Sequence, residues 1–302
     1  MDVDKYYPDK YCIIIASHEP KIDLLFDMLT KLSKLGIGRI FLVDSSSYEV
    51  SKSIQLFVEN LNARFKIQKI FYEKVVNRGV GHKYNMGFKL CLKNQCKVMT
   101  IFTDDAIIDE STFNPEKIIN FFYSNLDINK DVLALTSWNR GDYGTRSEIK
   151  EGPDFGMTLS NYLVRVLTFN ENLILDYNDF DFCYQIKRNG GKIKLYPQET
   201  VTSLPSGSKT SKNIPHLPVW RIYLVVRNYL DLSCEYRDVN FFIRNTYHAI
   251  GYMISSCFYG EKLFNVFKAA FLGILDSTSG KLGITDNLQR LTNDLFCKKE
   301  ES

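Results

Sequence analysis

Between Leu173 and Gly191 the chain reads LILDYNDFDFCYQIKRNGG, which sets Asp176, Asp179 and Asp181, with Glu171 just upstream, among large apolar side chains. Carboxylates beside a forming core are costly unless they are hydrogen-bonded, bound to a metal or left partly wet. A wet cleft meets that condition. A solvated loop meets it too, with Asp179 or Asp181 as the N-cap of a helix over FCYQIKR and Gly190 and Gly191 ending it. A second acidic cluster, Thr103-Asp104-Asp105, follows the apolar run Val98 to Phe102. Two acids at the end of a buried strand are candidates to hold a metal.

Elements that would position these acids can be read in chain order. Tyr11 to Ala16 is a β-branched apolar run that stops at Ser17-His18-Glu19-Pro20, as a buried first strand would. Pro20 opens a helix with Ile22, Leu25, Leu29 and Leu32 on one face and Gly36 at its end. A second strand over Arg39 to Val43 stops at Asp44-Ser45-Ser46-Ser47; a helix over Ser53 to Leu61 and a strand over Ile67 to Tyr72 follow. The segment NRGVGHKYNMG, 77 to 87, then leads into a helix from about Asn85 to Leu92 and the strand Val98 to Phe102. This alternation predicts an α/β domain with a largely parallel sheet. In such sheets ligands bind outside the carboxyl ends of the strands, here marked by Ser17, Asp44 and Asp104-Asp105. A nicotinamide-binding fold fits poorly, because Gly79, Gly81 and Gly87 lack the GxGxxG spacing and follow the third strand, not the first.

Asp131 to Ser137 reads as a fifth strand, followed by a polar loop holding Trp138. That indole suits a sugar platform and core packing equally. Pro205 to Pro218 turns to Ser, Lys, Thr and Pro, the composition of a surface loop or lid. Trp220 to Leu232 and Val239 to Leu275 read as helices, with Tyr247, Ile250, Ile254 and Phe258 on one face and Phe264, Phe267, Phe271 and Leu275 on another. Core packing is the default for such faces; a membrane surface is the alternative, given Lys262 and Lys268 nearby. The expected organisation is a catalytic domain over residues 1–215 and a helical region over 216–302.

Bulk properties exclude several classes. A chain of 302 residues with 45% hydrophobic and 24% charged residues buries a full core, and a net charge of +3 without a basic track gives no case for nucleic acid. Seven scattered cysteines without CxxC spacing argue against a disulfide framework or structural zinc and fit a reducing cytoplasm. MDVDKYYPDKY lacks a basic n-region followed by a long apolar run, so no signal peptide is expected, and no apolar run reaches spanning length.

Taken together, these pieces resemble the family 2 glycosyltransferases of the GT-A fold, and within them the rhamnosyltransferase-like group. The resemblance runs from Tyr11 to about Gly283. It rests on the strand ending at Ser17, Asp44 with its serines, NRGVGHKYNMG at 77 to 87, TDDA at 103 to 106, FNENLILDYNDFDFCYQIKRNGG at 169 to 191, YLVVRN at 223 to 228 and FKAAFLGILDSTSGKLG at 267 to 283. It implies that Ser17, Asp44, Arg78, Gly79, Lys83, Asn85 and Asp104 surround the nucleotide and that Asp105 binds Mg²⁺ or Mn²⁺ on the diphosphate. Asp179 is the implied general base, and Trp138, Asp181 and Arg227 the implied sugar or acceptor contacts. The expected activity is inverting transfer of a hexose, rhamnose or galactofuranose leading, from a UDP- or dTDP-sugar to a glycan or lipid-linked acceptor. Peripheral contact with the inner membrane face, or homo-oligomerisation, is expected through the C-terminal helices.

Three positions depart from the family. Thr103 replaces an Asp, Gln185 replaces an Arg, and no His lies near Leu204 to Gly207, where His216 is the nearest substitute. A sugar-nucleotide-binding protein without transferase activity is therefore the alternative. Nucleotidyl transfer is a distant third, since no Gly-rich loop follows the first strand.

Overall fold

The computed structural model describes residues 10–35, 37–65, 69–135, 148–149, 156–198, 200–203 and 216–292. The chain divides into two compact units. One comprises residues 1–77, 82–169 and 179–204; the other 78–81, 170–178 and 205–302.

The first unit is an α/β domain, with the first residues of α3 (80–81) and of α5 (178) counted in the second. In chain order it contains β1 (Tyr11–Ser17), α1 (Ile22–Lys34), β2 (Arg39–Asp44), α2 (Tyr48–Phe65), β3 (Ile70–Lys74), α3 (Val80–Lys93), β4 (Val98–Thr103), β5 (Ala106–Ile108), α4 (Pro115–Asn125), β6 (Val132–Ala134), β7 (Glu148–Ile149), β8 (Met157–Ser160), α5 (Asn178–Arg188), β9 (Ile193–Leu195) and β10 (Val201–Ser203). Eight strands form one sheet in the order β3-β2-β1-β4-β8-β6-β9-β7. The half from β3 to β4 is parallel, as the strand-helix alternation predicts; β8 and β7 enter antiparallel. Strands β5 and β10 make a separate antiparallel pair.

β1 is buried along its whole length, which is why it reads as continuous apolar residues without alternation. Its Ile13 and Ile15 join Leu25 and Leu29 of α1, Ile40 and Leu42 of β2 and Ile54 of α2 in one hydrophobic core. α3 begins at Val80, five residues before the expected start. Gly79, at φ 96°, supplies the turn before it, and Gly87 lies inside the helix where it passes β1. α5 begins at Asn178, so Asp179 and Asp181 lie in its first turn and neither is the residue preceding the helix. Gly190, at φ 73°, closes it as expected.

The second unit is helical: α6 (Val219–Tyr236), α7 (Val239–Phe258), α8 (Leu263–Thr278) and α9 (Asp286–Thr292). The single helix expected over Val239 to Leu275 is two, broken at Gly260, whose φ of 104° an α-helix does not admit. Ile174, Tyr223, Leu224, Ala269 and Leu288 form the core. The aromatic faces of α7 and α8 are not in it: Tyr247, Phe258, Phe264, Phe267 and Phe271 are exposed, which corrects the default core reading. Among the described residues no helix is long and apolar enough to cross a membrane.

Candidate active site

The chain leaves β1 toward β2 and β3 on one side and returns to β4 on the other, which opens a crevice at the carboxyl ends of β1 and β4. The register brings the polar strand ends level: Ser17 pairs with Asp44, and Ala16 with Thr103. The backbone N–H of His18 donates to Asp104 Oδ2 at 2.7 Å, and the Asp104 N–H donates to Ala16 O at 3.2 Å. Burial raises the Asp104 carboxyl to about 6, with the neighbouring Asp105 adding to the rise, while the His18 N–H, Lys83 and Ser17 pull it down. Lys83, on the first turns of α3, is buried with Nζ 3.2 Å from Ser45 Oγ. Burial lowers its ammonium to about 8 even though Asp104 and Asp44 oppose the shift. A lysine so placed is a stored positive charge that an incoming anion would relieve.

His18 was not singled out in the sequence. Its Nδ1 lies 3.1 Å from Ser45 O, and Asn77 Nδ2 approaches its Nε2 at 3.3 Å. Those partners suit a neutral ring that donates from Nδ1 and accepts at Nε2. Burial and the nearby Lys83 both lower its pKa, which favours the same state.

Asp44 is fully buried, and its acceptor sites are filled from within. Oδ1 accepts from the Ser46 N–H at 3.1 Å and the Ser46 hydroxyl at 2.6 Å; Oδ2 accepts from Ser51 Oγ at 2.6 Å and Tyr72 OH at 2.9 Å, with Lys74 Nζ at 3.7 Å. Burial would raise its pKa, but these hydrogen bonds outweigh burial and hold it below the usual carboxylate range. A carboxylate offers about four lone-pair sites, so Asp44 would have to exchange one of these donors to hold a base. Asn85 is likewise engaged: Nδ2 donates to Phe169 O at 3.0 Å and Oδ1 accepts from Phe169 N at 2.9 Å. It fixes the backbone at Phe169, just before the acidic segment that runs from Glu171 to Asp181.

In α5, Asp179 is partly exposed and Asp181 buried. Both occupy the first turn, where the unpaired N–H groups of a helix favour negative charge. Asp179 Oδ1 lies 2.9 Å from the Phe180 N–H. Gln185, one turn on, donates to Asp181 Oδ2 at 2.8 Å.

In the helical unit, residues 170–178 hold three non-glycine residues at positive φ: Ile174 (64°), Asp176 (57°) and Tyr177 (69°). Such geometry persists only when its surroundings enforce it. Asn228 Nδ2 donates to Leu173 O and Leu175 O at 2.8 Å and to Asp176 O at 3.1 Å. Arg227 donates to Asn172 O at 3.1 Å, Gly283 O at 2.7 Å and Asn228 Oδ1 at 3.0 Å. Arg221 grips the Asp176 carboxylate through Nε and Nη2, the shortest contact 2.7 Å. Gly79 belongs to the same assembly, since a Cβ there would stand 2.3 Å from Ile174 O, and Arg78 lies 3.5 Å from Glu171. Arg227 is therefore not an exposed sugar contact. It is buried, with its guanidinium committed to backbone carbonyls, and the expectation for it is corrected accordingly. The next residue carries the other half of the clamp.

Trp138 and the loop over 204–215 lie outside the described residues. The His216 ring lies against Tyr259, centroids 6.0 Å apart. Asn178 is buried, and neither of its amide atoms is hydrogen-bonded among the described residues. For a metal, Asp104 and Asp105 offer hard oxygen donors of the kind Mg²⁺ and Mn²⁺ take, and the repulsion between them is what a cation would relieve. Among the described residues no third carboxylate or histidine joins them. The one three-residue group close enough to ligate an ion is Cys12, Cys91 and Cys96, soft donors within 4.8 Å of one another and buried at the far end of β1.

No protein-family model and no curated protein matches the sequence. Among solved structures, a mannosyltransferase from Pyrobaculum calidifontis, PcManGT, in complex with GDP-Man and Mn²⁺, aligns over 96% of this chain and 88% of its own with a TM-score of 0.56 and 12% identity. The protein A197 from STIV aligns over 65% of this chain and 85% of its own with a TM-score of 0.40 and 9% identity, too distant to bear on the fold. With the mixed sheet and its parallel β3-β2-β1-β4 half, the first likeness identifies the fold as a GT-A-like glycosyltransferase fold.

Proposed function

We propose that the protein is an inverting glycosyltransferase that moves a sugar from a nucleoside diphosphate donor to a hydroxyl of a glycan or lipid-linked acceptor. The observation that carries the reading is the buried Lys83, held beside Asp104 and Ser45 at the switch point of the sheet without a carboxylate in ion-pair contact among the described residues. A diphosphate supplies the anion such a site lacks. Asp105, with Asp104 beside it, would hold the divalent cation. When bound, that cation neutralises charge on the leaving diphosphate. The structural relative was solved with a nucleotide sugar and Mn²⁺, which supports the same donor class and cation.

In this reading Asp179 is the general base. Its carboxylate takes the proton of the acceptor hydroxyl as the new bond forms at the anomeric carbon and the nucleoside diphosphate leaves from the opposite face, which inverts the centre. Asp179 stands in the first turn of α5. The Asn228–Arg227 clamp holds the strained segment that enters α5. Rhamnose or galactofuranose on UDP or dTDP leads by family likeness, and GDP-mannose joins them through the structural relative.

Thr103, which stands where a third acid would join Asp104 and Asp105, favours one rival, a sugar-nucleotide-binding protein that performs no transfer. A panel of UDP-, dTDP- and GDP-sugars with Mg²⁺ or Mn²⁺ separates the readings. We expect one donor to bind and turn over. Asp179→Asn should keep donor affinity and lose transfer by about 10² to 10⁴, the usual worth of general-base catalysis. Binding without turnover of any donor supports the rival, and absence of both binding and turnover overturns the glycosyltransferase reading.

A further inference from the structure

Three cysteines meet inside the first unit, at the end of β1 remote from Ser17 and the candidate active site. The packing of α3 on β1 joins two of them. Gly87 of α3 lies against Ile14 of β1, and the helix runs back along the strand. One helical turn further, about 6 Å, therefore matches two strand residues back, about 6.6 Å. Cys91 meets Cys12 in this way, their Sγ atoms 2.9 Å apart across a sequence separation of 79. The third thiol comes from the turn after α3. Gln95, at φ 59°, reverses the chain, and the Cys96 N–H donates to Cys91 O at 3.0 Å. All three sulfurs then lie within 4.8 Å of one another. Each side chain is fully buried, yet Cys96 stands between exposed Gln95 and Lys97, so an ion has a short way in. Cysteines that serve packing alone need share no point; here each sulfur is turned to the other two.

The surroundings suit a soft cation. Arg39 is the register partner of Cys12 on β2, and its Nη1 donates to Asn94 O at 3.2 Å, which carries a fixed positive charge past the group. Burial pushes the Cys12 and Cys91 thiols up, whereas hydrogen bonds from those two thiols, and then Arg39, hold Cys96 down toward its thiolate. Three thiolates around a divalent ion leave one negative charge for Arg39 to balance. A monovalent ion balances equally with one sulfur still protonated. Among the described residues no carboxylate or histidine joins the group, so hard ions such as Mg²⁺ and Mn²⁺ lack their usual donors, while thiolates favour Cu⁺ and Zn²⁺. An ion about 2.3 Å from each sulfur would set the sulfurs about 4 Å apart, which the group reaches by opening the Cys12–Cys91 pair about 1 Å.

We propose that Cys12, Cys91 and Cys96 form a site for a soft, thiophilic metal ion of the Cu⁺ or Zn²⁺ class, held by three sulfurs and tying the start of β1 to α3 and to the entry of β4. The site is independent of the reaction proposed above and of the cation expected at Asp105. It is tested on the reduced, chelator-stripped full chain, titrated with Zn²⁺ and, without oxygen, with Cu⁺ against a colorimetric competitor. One ion per chain should bind and withstand a tenfold excess of Mn²⁺. X-ray absorption of the loaded protein should count three sulfur neighbours, at about 2.3 Å for Zn²⁺. Free ion at about a hundred times Kd should raise the melting temperature by about 5 °C. Cys91→Ala and Cys96→Ala should each weaken binding at least a hundredfold and abolish that rise, whereas Cys234→Ser with Cys257→Ser, outside the group, should change neither. Circular dichroism checks the fold of each variant, and the sulfur count on the wild type decides even where a variant does not fold. Either ion on three sulfurs supports the inference. No tight binding of either ion, fewer than three sulfur neighbours, or binding that folded Cys91→Ala retains overturns it. A chain isolated without reductant that lacks two hydrogens by mass, with Cys12 joined to Cys91, and that takes up no ion after reduction assigns the group to a disulfide and also overturns it.

Discussion

Replacing Lys83 by methionine should stabilise the protein while weakening its grip on the donor. The ammonium is carried into the fold at a pKa of about 8 against an ordinary 10.5, with burial the main cause. A shift of that size corresponds to about 3 kcal/mol of folding free energy at neutral pH, at about 1.4 kcal/mol per unit. The sign follows from the two states. Below pH 8 the lysine is charged in both, and the folded state bears the desolvation cost. Between 8 and 10.5 the folded state sheds its proton first, so wild-type stability rises with pH and the cost disappears. Methionine matches the unbranched stem and carries no charge at any pH. Denaturant midpoints of wild type and Lys83→Met, measured from pH 7 to 10.5, should differ most at the low end, by up to about 3 kcal/mol in favour of the variant, and converge toward the high end. Nucleoside diphosphate titrated into the variant should bind at least tenfold more weakly. A variant less stable than wild type at pH 7, or a gap that does not close with pH, would refute the argument that Lys83 is held charged at the expense of the fold.

Three further outcomes are expected. Asp105→Asn should bind nucleoside diphosphate weakly and to the same extent with or without Mn²⁺, whereas the wild type should tighten when the cation is added; isothermal titration reads both. Asn228→Leu removes the donor shared by three carbonyls of the strained 170–178 segment and should destabilise by about 2 to 4 kcal/mol, near the cost of leaving buried polar groups unpaired, as read from chemical denaturation. Gly79→Ala combines a φ of 96° with a Cβ 2.3 Å from Ile174 O and should cost at least about 3 kcal/mol, more than either strain or overpacking brings alone, seen as a lowered melting temperature.

What the sequence disclosed of this site followed from sheet periodicity. Apolar runs that end abruptly at Ser17, Asp44 and Asp104 mark strand ends, and parallel pairing brings such ends level, as the Ser17–Asp44 register bears out. The α/β class and the chain positions of the first four strands were legible for the same reason; their order across the sheet was not. His18 was passed over because its value lies in a backbone N–H, which side-chain identity does not advertise. The Arg227–Asn228 clamp was visible as a pair of residues, but its targets lie more than fifty residues away in sequence, at carbonyls that no pattern singles out. Helical spacing showed that α7 and α8 each have an aromatic face; it is silent on which face turns inward. The opposed faces held the missing signal, since alanine, serine and glycine opposite a phenylalanine stripe suit close packing against α6.

Gly87 gives the crevice a tolerance that can be stated as a length. It follows Lys83 by one turn of α3, and a Cβ there would stand 2.3 Å from Ile14 Cγ2 of β1. To restore van der Waals separation, helix and strand would have to part by about 1 Å. Ile14 is β-branched and buried, so it has little freedom to turn aside. A neutral, apolar contact thus gauges how far the lysine stands from the serine and aspartate ahead of it. The gauge has two jaws: an alanine at 87 is admissible in a chain whose residue 14 has given up the corresponding volume. Positions 14 and 87, neither of them able to touch a phosphate, are therefore free to drift only as a pair.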